Sequence, residues 1–169
     1  MLSFDIRSLV SKAVHVDGTL AADDPVWQEE DTRPSAPIHV VGRLSAAGEG
    51  RYYFSGHLDG EAAGECRRCL TDVTVSIAEN VQLLFVDADT EGADDPDVYV
   101  VESRAPELDM RPAVREQWLL AVPGFMQCRD DCKGICPTCG IDLNTGACDC
   151  APVTDSRWDT LRKVRGQSN

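Results

Sequence analysis

The stretch CRDDCKGICPTCGIDLNTGACDC (128–150) decides the fold, because it carries six of the eight cysteines of the chain. The other two, Cys66 and Cys69, lie in GECRRCL (64–70). Eight thiols arranged in pairs are enough for two metal sites with four sulfur ligands each. The spacing therefore predicts a cysteine-rich region that is held together by two ions.

Within this stretch, CPTCG (136–140) is typical of a zinc knuckle, in which a tight turn directs two thiolates at one ion. Gly140 can adopt a backbone conformation that a side chain would oppose. The short DLNTG turn brings Cys148 and Cys150 back beside the knuckle. We therefore expect one closed, structural zinc site formed by Cys136, Cys139, Cys148 and Cys150.

The second predicted site joins Cys66 and Cys69 to Cys128 and Cys132. A competing partition places Cys66 and Cys69 with Cys136 and Cys139, and leaves Cys128, Cys132, Cys148 and Cys150 together. Sequence order favours the first partition because it closes the knuckle locally. Four thiolates can also bind iron, so zinc and iron are both candidate metals.

Three sequence features predict a cytoplasmic protein. Residues 1–10 (MLSFDIRSLV) lack the pattern of a secretory signal, and no apolar run reaches the ~20 residues that span a bilayer. In a reducing compartment, paired cysteines are metal ligands more often than disulfides. We therefore expect a cytoplasmic protein with no membrane partner.

The formal net charge of −13 is unevenly distributed. Residues 128–169 hold six acidic and six basic side chains, so the whole excess lies in residues 1–127. Such a chain cannot bind nucleic acid by bulk attraction, because duplex recognition depends on neutralising phosphates. Any RNA or partner contact has to be local, and the candidates beside the cysteines are Arg67, Arg68, Arg129 and Lys133. The same side chains can instead offset the charge of the thiolates.

The remaining sequence predicts an α+β fold: a mainly antiparallel sheet or partly open barrel, one long helix and a C-terminal zinc-knuckle module. Strands are expected at 2–10, 38–45, 51–65, 72–86 and 98–102. Residues 17–37 are expected to form an exposed connection. Asp109 is expected to cap a helix at about 109–121, with Met110, Val114, Trp118 and Ala121 on one face. We expect a β-rich main domain at 1–127 and a cysteine-rich module with a short C-terminal helix at 128–169.

No catalytic arrangement is evident. His15, His39 and His57 are scattered, and no phosphate-binding glycine motif occurs. A redox role for CRRC would use the flanking arginines to lower a thiol pKa, but the motif lies between strands rather than at a strand-to-helix junction. The sequence predicts a protein that is not an enzyme and has no small-molecule substrate.

Three segments together resemble the YceD family, the large ribosomal RNA subunit accumulation proteins. They are GECRRCL (64–70), ELDMRPAVREQWLLAVP (107–123) and CRDDCKGICPTCGIDLNTGACDC (128–150), and CKGICPTCG followed by LN is the most specific element. The resemblance covers nearly all of residues 1–165. Some family members lack the C-terminal knuckle that corresponds to CPTCG (136–140). They still have thiol or imidazole groups after the helix that can pair with the motif corresponding to CRRC (66–69). The resemblance therefore supports pairing Cys66 and Cys69 with Cys128 and Cys132.

The resemblance implies a non-enzymatic ribosome-biogenesis factor that supports synthesis, processing or stability of large-subunit (23S) ribosomal RNA. Its expected partners are the RNA precursor or a pre-ribosomal particle, or a basic large-subunit ribosomal protein. Two alternatives stand beside it: a zinc-ribbon nucleic-acid or transcription adaptor unrelated to ribosomes, and a thiol-based redox protein.

Overall fold

The computed structural model describes residues 1–151 and 156–158, which are mostly strands with few helices. The helices are α1 (Ile6–Ser11) and α2 (Arg111–Ala121), and a 3-10 turn covers Ser156–Trp158. The strands are β1 (Ser3–Asp5), β2 (Val14–Leu20), β3 (Ile38–Ala46), β4 (Arg51–Glu65), β5 (Asp72–Asp87), β6 (Tyr99–Val101) and β7 (Glu107–Asp109).

The chain divides into two compact units. The first comprises Met1–Gly64 and Val73–Met126, and the second comprises Glu65–Asp72 and Gln127–Asn169. The tip of the β4–β5 hairpin thus groups with the cysteine-rich segment. Residues 1–64 and 73–126 contain 21 acidic and 8 basic side chains, whereas the second unit has eight of each. The entire net charge therefore belongs to the first unit.

The first unit contains an open five-stranded sheet in the order β2-β3-β4-β5-β6. The β2–β3 and β3–β4 pairs are antiparallel, and β5–β6 is a short parallel pair that joins Phe85–Asp87 to Tyr99–Val101. The strands alternate between buried and exposed side chains, as a sheet with one covered face requires. The choice between sheet and partly open barrel is resolved as an open sheet, and the α+β class is confirmed.

Helix α2 is anchored to this sheet by Trp118, which is fully buried. The absence of a side chain at Gly60 on β4 makes room for the indole, since a Cβ there would lie 2.6 Å from Trp118 Cζ3. Met110 and Val114 are also buried, as predicted, and Ala121 packs against the core. The helix has only eleven residues, so the long helix is not confirmed. Asp109 accepts a hydrogen bond from the Arg111 amide (3.0 Å), one residue before the observed N-cap Met110.

The N-terminal region differs from its prediction. Instead of one strand at 2–10, β1 is followed by α1, which Asp5 caps through the Arg7 amide (2.9 Å). Strand β1 pairs with β7 in a separate two-stranded sheet. Neither short strand shows a period of two long enough to be recognised.

The segment predicted as an exposed connection at 17–37 is also more ordered than expected. Its first four residues belong to β2, and Trp27 is buried with its indole nitrogen bonded to the Ala21 carbonyl (2.8 Å). Further along, Asp31 forms a bidentate pair with Arg115 of α2 (2.6 and 2.7 Å). The acidic composition of residues 17–37 gave no indication of the contacts made by Trp27 and Asp31. The short C-terminal helix predicted beyond Asp155 lies outside the described residues, apart from the turn at Ser156–Trp158.

Candidate metal centres

The second unit brings the eight cysteines together as two clusters of four. The clusters are Cys66, Cys69, Cys128 and Cys132, and Cys136, Cys139, Cys148 and Cys150. Within each cluster all sulfur atoms lie within 4.8 Å of one another. This grouping matches the first of the two partitions considered from the sequence.

The first tetrad combines the hairpin tip with the segment that follows α2. The Cys66–Cys132 sulfurs lie 3.9 Å apart and the Cys69–Cys128 sulfurs 3.6 Å apart. Four sulfurs placed 2.3 Å from a central ion in a tetrahedron lie about 3.8 Å apart, whereas disulfide sulfurs lie about 2.0 Å apart. The spacing therefore fits one tetrahedrally bound ion. Cys66, Cys69 and Cys132 are buried.

The second tetrad is more accessible. Only Cys136 is buried, Cys148 is half-buried, and Cys139 and Cys150 are exposed. The Thr138 amide donates to the Cys136 sulfur (3.4 Å). Amide donors of this kind stabilise a thiolate and orient it toward an ion.

The two CxxC turns have the same backbone hydrogen bonds. The amides of Cys66 and Cys136 each donate to the carbonyl five residues later, at 2.8 and 2.9 Å. Their carbonyls each accept from the amide four residues later, at 2.8 and 2.9 Å. The residue after the second cysteine has a positive φ in both turns, 60° at Leu70 and 74° at Gly140. CRRCL is therefore a knuckle like CPTCG, with an exposed leucine at the position where glycine is favoured.

Asn144, from the turn that closes the second tetrad, contacts a ligand of the first. Its Nδ2 donates to the Cys132 sulfur (3.5 Å) and to Asp142 (2.7 Å). Its Oδ1 accepts from the Lys133 amide (2.8 Å) and from the Arg129 guanidinium (2.9 Å). One side chain thus links both halves of the cysteine segment and orients Cys132. Residues just outside the ligand set commonly orient metal ligands in this way.

The titration of the first tetrad reflects its crowding. Burial alone would raise the pKa of Cys66, but the amides of Cys128, Arg68 and Cys69 donate to its sulfur and lower the pKa to about 6. Cys128 is exposed to solvent, but its sulfur lies within 4.8 Å of the other three sulfurs. Desolvation and the sulfur of Cys132 raise its pKa to about 12. Neighbouring thiolates repel one another, so a cation is needed to deprotonate all four.

The second tetrad follows the same rule. The amides of Cys139 and Thr138 lower the pKa of Cys136 to about 6. The Cys139 sulfur and desolvation raise the pKa of Cys150 to about 12. A divalent ion that binds four thiolates would displace the remaining protons and leave no open coordination position for a substrate. The donor set therefore fits a structural ion.

The four predicted contact residues all lie in the second unit and are exposed. Arg129 is tied to its own unit, since it pairs with Asp131 (3.2 Å) as well as Asn144. Within residues 1–151, the side chains of Arg68 and Lys133 form no hydrogen bond or ion pair. Their role in binding RNA or a partner stays a prediction, as does metal binding by each cysteine.

Sequence reasoning missed Asn144 and Leu70. A comparison of CRRCLT with CPTCGI would have revealed that the first motif is a second knuckle and that Leu70 takes the glycine position. No comparable signal identifies Asn144, because its role depends on two segments that meet only in the folded chain.

A strand-rich unit joined to a unit with two four-cysteine clusters defines a protein that can hold two metal ions. A family model described as "Large ribosomal RNA subunit accumulation protein YceD" matches residues 54–165, and the chain belongs to this family. No helix in the described part of the chain has the length and apolar character needed to cross a membrane.

Three relatives carry names that describe no activity. The chain is 26% identical to "Uncharacterized protein YlbN" of Bacillus subtilis over 140 residues, which are 82% of this chain and 80% of YlbN. It is 28% identical over 128 residues to "Uncharacterized protein Mb2951c" of Mycobacterium bovis and to "Uncharacterized protein Rv2926c" of Mycobacterium tuberculosis. The match covers 73% of this chain and 60% of each mycobacterial protein. No solved structure matches the chain.

Proposed function

We propose that this protein is a non-enzymatic ribosome-biogenesis factor that supports synthesis, processing or stability of large-subunit (23S) ribosomal RNA. Family membership supports the pathway. The observation that carries the molecular part is the pair of four-cysteine clusters, whose saturated donor sets fit structural zinc rather than catalysis. In this proposal the protein acts in the cytoplasm, without a membrane or small-molecule partner.

Zinc is the proposed metal at both tetrads, because four cysteine ligands form its usual closed structural site. The ions would fix the two knuckles and the loops between them. When bound, zinc supplies a stable tetrahedral junction. The chain's own amide donors and Asn144 hold the sulfurs in position around it.

The proposed RNA contact lies beside the first tetrad. Arg67 and Arg68 are exposed on its knuckle, and Gly134 leaves room for the Arg68 backbone, with the Arg68 carbonyl accepting from the Ile135 amide (2.9 Å). Lys133 directly precedes that glycine. Acidic and basic side chains balance in the second unit. Eight thiolates around two divalent ions would add a formal charge of −8 + 4 = −4, so phosphate contact would depend on these exposed cations acting locally.

Leu70 also favours a binding surface at this knuckle. A leucine with positive φ stores backbone strain of about 1–2 kcal/mol relative to glycine, and its side chain is 58% exposed. The strained leucine therefore contributes little to the described packing. Strained residues often occur at functional sites.

The test is to isolate the tagged full-length protein from cells, sequence the associated RNA, identify associated proteins and measure metal on the same sample. The proposal expects enrichment of large-subunit precursors and about two zinc ions per chain. Recovery of neither would overturn it. Salt-dependent binding to bare DNA without ribosomal particles would support the adaptor alternative, and reactive thiols with substoichiometric zinc would support the redox alternative.

A charge-reversal pair tests the RNA surface. The variant Arg68→Glu/Lys133→Glu should lose precursor association while retaining zinc. The matched control Arg7→Glu/Lys12→Glu changes two exposed cations of the first unit and should retain association. If the first variant still associates fully, a basic ribosomal protein becomes the partner to test and direct RNA contact by this surface is excluded.

A further inference from the structure

Strand β5 has a long outer edge that is only partly paired. Its neighbour β6 covers Phe85–Asp87, and among residues 1–151 no strand pairs with the outer edge of β5 before Phe85. Residues 88–98, which precede β6, contain turns and bends but no strand. The position that β6 occupies beside Phe85 therefore continues unfilled beside residues 79–84.

This edge has little of the usual protection against pairing. Natural edge strands are commonly short or carry charged side chains, especially lysine, or proline or a bulge that disfavours another strand. β5 is sixteen residues long, Asp72–Asp87 contains no lysine, arginine or proline, and Glu79 is the single charged residue at 79–84. The opposite edge strand, β2, has seven residues, and the side chain of Leu2 packs against its Gly18. The two sides of this sheet therefore differ, because β2 is short and contacts Leu2, whereas the outer edge of β5 is long and mostly unpaired.

Beside the open edge, α2 forms one wall of a groove. We call it the β5–α2 groove; its lining is Glu79, Asn80, Val81, Gln117, Leu120 and Ala121. Leu120 is 73% exposed although Val81 at the floor is buried. The volume is about 220 Å³, which suits one or two amino-acid side chains rather than a metabolite. Gln117 donates to the Tyr99 hydroxyl (3.0 Å) and closes the end nearest β6.

The charge of the groove selects the occupant. Glu79 is its single ionisable lining residue, and Glu116, four residues before Leu120 on α2, is exposed. The basic residues of α2 are already neutralised: Arg111 pairs with Asp109 (2.7 Å) and Arg115 with Asp31 (2.6 Å). The surrounding first unit has 13 more acidic than basic side chains. A basic segment fits this surface, whereas RNA does not.

We propose that the β5–α2 groove binds an extended segment of a partner protein, with alternating basic and apolar side chains, as an added strand along residues 79–84 of β5. Backbone hydrogen bonds supply the affinity, and alternate side chains contact Leu120 and Glu79. This mode extends the sheet by one strand. It does not depend on the proposed role in ribosomal RNA accumulation or on metal in either tetrad.

The probe is the capped peptide KTVTVTK, which reads the same in both directions and places its lysines and valines on one face of a strand. Isothermal titration with the full-length protein should show saturable binding at about 1 mM peptide or below. The acidic counterpart ETVTVTE should bind at least about tenfold more weakly, because it faces Glu79 with like charge. No saturable binding of KTVTVTK would overturn the proposal.

An N-methylated peptide identifies strand pairing directly. Alternate amides of a strand point to opposite sides, so methylation of both valines blocks one edge of the peptide and methylation of two threonines blocks the other. Because KTVTVTK reads the same in both directions, either edge can face β5, and the decisive probe carries all four methyl groups. It should bind at least about tenfold more weakly than KTVTVTK, and undiminished affinity would exclude an added strand, even if the peptide binds through its charge.

Protein variants locate the site. Leu120→Glu should raise the dissociation constant at least about tenfold by removing the apolar contact, and Glu79→Lys should do the same by reversing the charge. Val10→Glu and Glu29→Lys alter an exposed valine and an exposed carboxylate outside the groove and should leave binding unchanged. Circular dichroism confirms that each variant is folded. Equal loss in the variants and their controls would contradict the assignment.

Hydrogen exchange distinguishes the remaining occupants. Peptide should slow exchange of amides at 79–84 but not those of β2. If the free protein is a dimer that Leu120→Glu makes monomeric, a second copy occupies the groove and the proposal fails. If deletion of residues 159–169 alone accelerates exchange at 79–84, the occupant is the chain's own basic terminus, and the proposal fails in that way too.

Discussion

The two units differ in what fills their interiors. The first has a continuous core of buried apolar side chains, among them Trp118, Phe54 and Phe85. In the described part of the second unit, the buried positions are Cys66, Cys69, Cys132 and Cys136, together with Gly134. The first unit is therefore stabilised by hydrophobic burial, whereas the buried side chains in the described part of the second unit are cysteines.

This difference has a direct energetic consequence. A segment with so little apolar burial cannot offset its conformational entropy, so another interaction must hold it. Structural zinc supplies apparent binding energies of about 10–16 kcal/mol in small domains, comparable with the stability of a whole domain. The second unit should therefore depend on metal, and the first should not.

Metal removal is the largest perturbation expected. Stripping with a strong chelator at neutral pH should abolish amide protection in residues 65–72 and 127–151, because metal-binding energy is folding energy there. Residues of the sheet core, such as Phe54, should retain protection. Hydrogen exchange resolved by segment makes the measurement. Loss of protection in both units together would contradict their independence, and restored protection on adding zinc is the control.

The converse experiment removes the largest core side chain. Trp118→Ala should lower the free energy of unfolding of the first unit by about 3–5 kcal/mol, through lost burial and the cavity left behind. It also removes the indole bond to the Thr32 carbonyl (2.8 Å). Zinc per chain should stay at the wild-type value. Denaturant unfolding followed at the sheet gives the energy, and metal loss in this variant would refute the separation.

A smaller effect is expected from Asn144→Ala. The change removes one donor to the Cys132 sulfur and the acceptor of the Lys133 amide, and should weaken metal binding at the first tetrad by about 10- to 100-fold. Thr145→Ala is the matched neighbour, since its hydroxyl bonds Asp142, at 3.4 Å to the carbonyl, rather than a cysteine. Competition with a fluorescent chelator measures the affinities. Equal affinities in the two variants would show that Asn144 does not support the first tetrad.

The smallest effect concerns acid stability of the first unit. The hydrogen bonds from Arg115 hold the pKa of Asp31 below its usual value. A carboxylate with a lowered pKa stabilises the fold above its unfolded pKa of about 3.9, and this contribution is lost as pH falls through the folded pKa. The destabilisation by Arg115→Gln should therefore be larger at pH 7 than at pH 2. Denaturant unfolding of metal-free protein at both pH values tests this, and an unchanged difference would show that the pair contributes nothing.

The sequence was most informative where a local pattern decides structure. Alternation predicted the β3–β4 hairpin and the full length of β5, and helical spacing identified Met110, Val114 and Trp118 as one buried face. Local closure also favoured the observed grouping of the cysteines. These features depend on neighbours along the chain.

Features that depend on distant segments were missed. The pairing of β1 with β7 joins residues 3–5 to 107–109, and Asp31 meets Arg115 across 84 residues. Their sequence surroundings are short or acidic, so no periodicity marks them. The same applies to Asn144, which is ordinary as a turn residue and becomes informative only when its amide faces Cys132.

The central claim is that two separate four-sulfur sites hold the second unit, and zinc counting in paired double variants tests it most directly. After dialysis against a chelator that empties three-ligand sites, the wild type should retain two ions per chain. Cys69→Ser/Cys128→Ser should retain one, because both changes fall in one tetrad, whereas Cys69→Ser/Cys139→Ser should retain none. The reverse order would establish the other partition, and a wild type that is fully folded without metal would contradict the account.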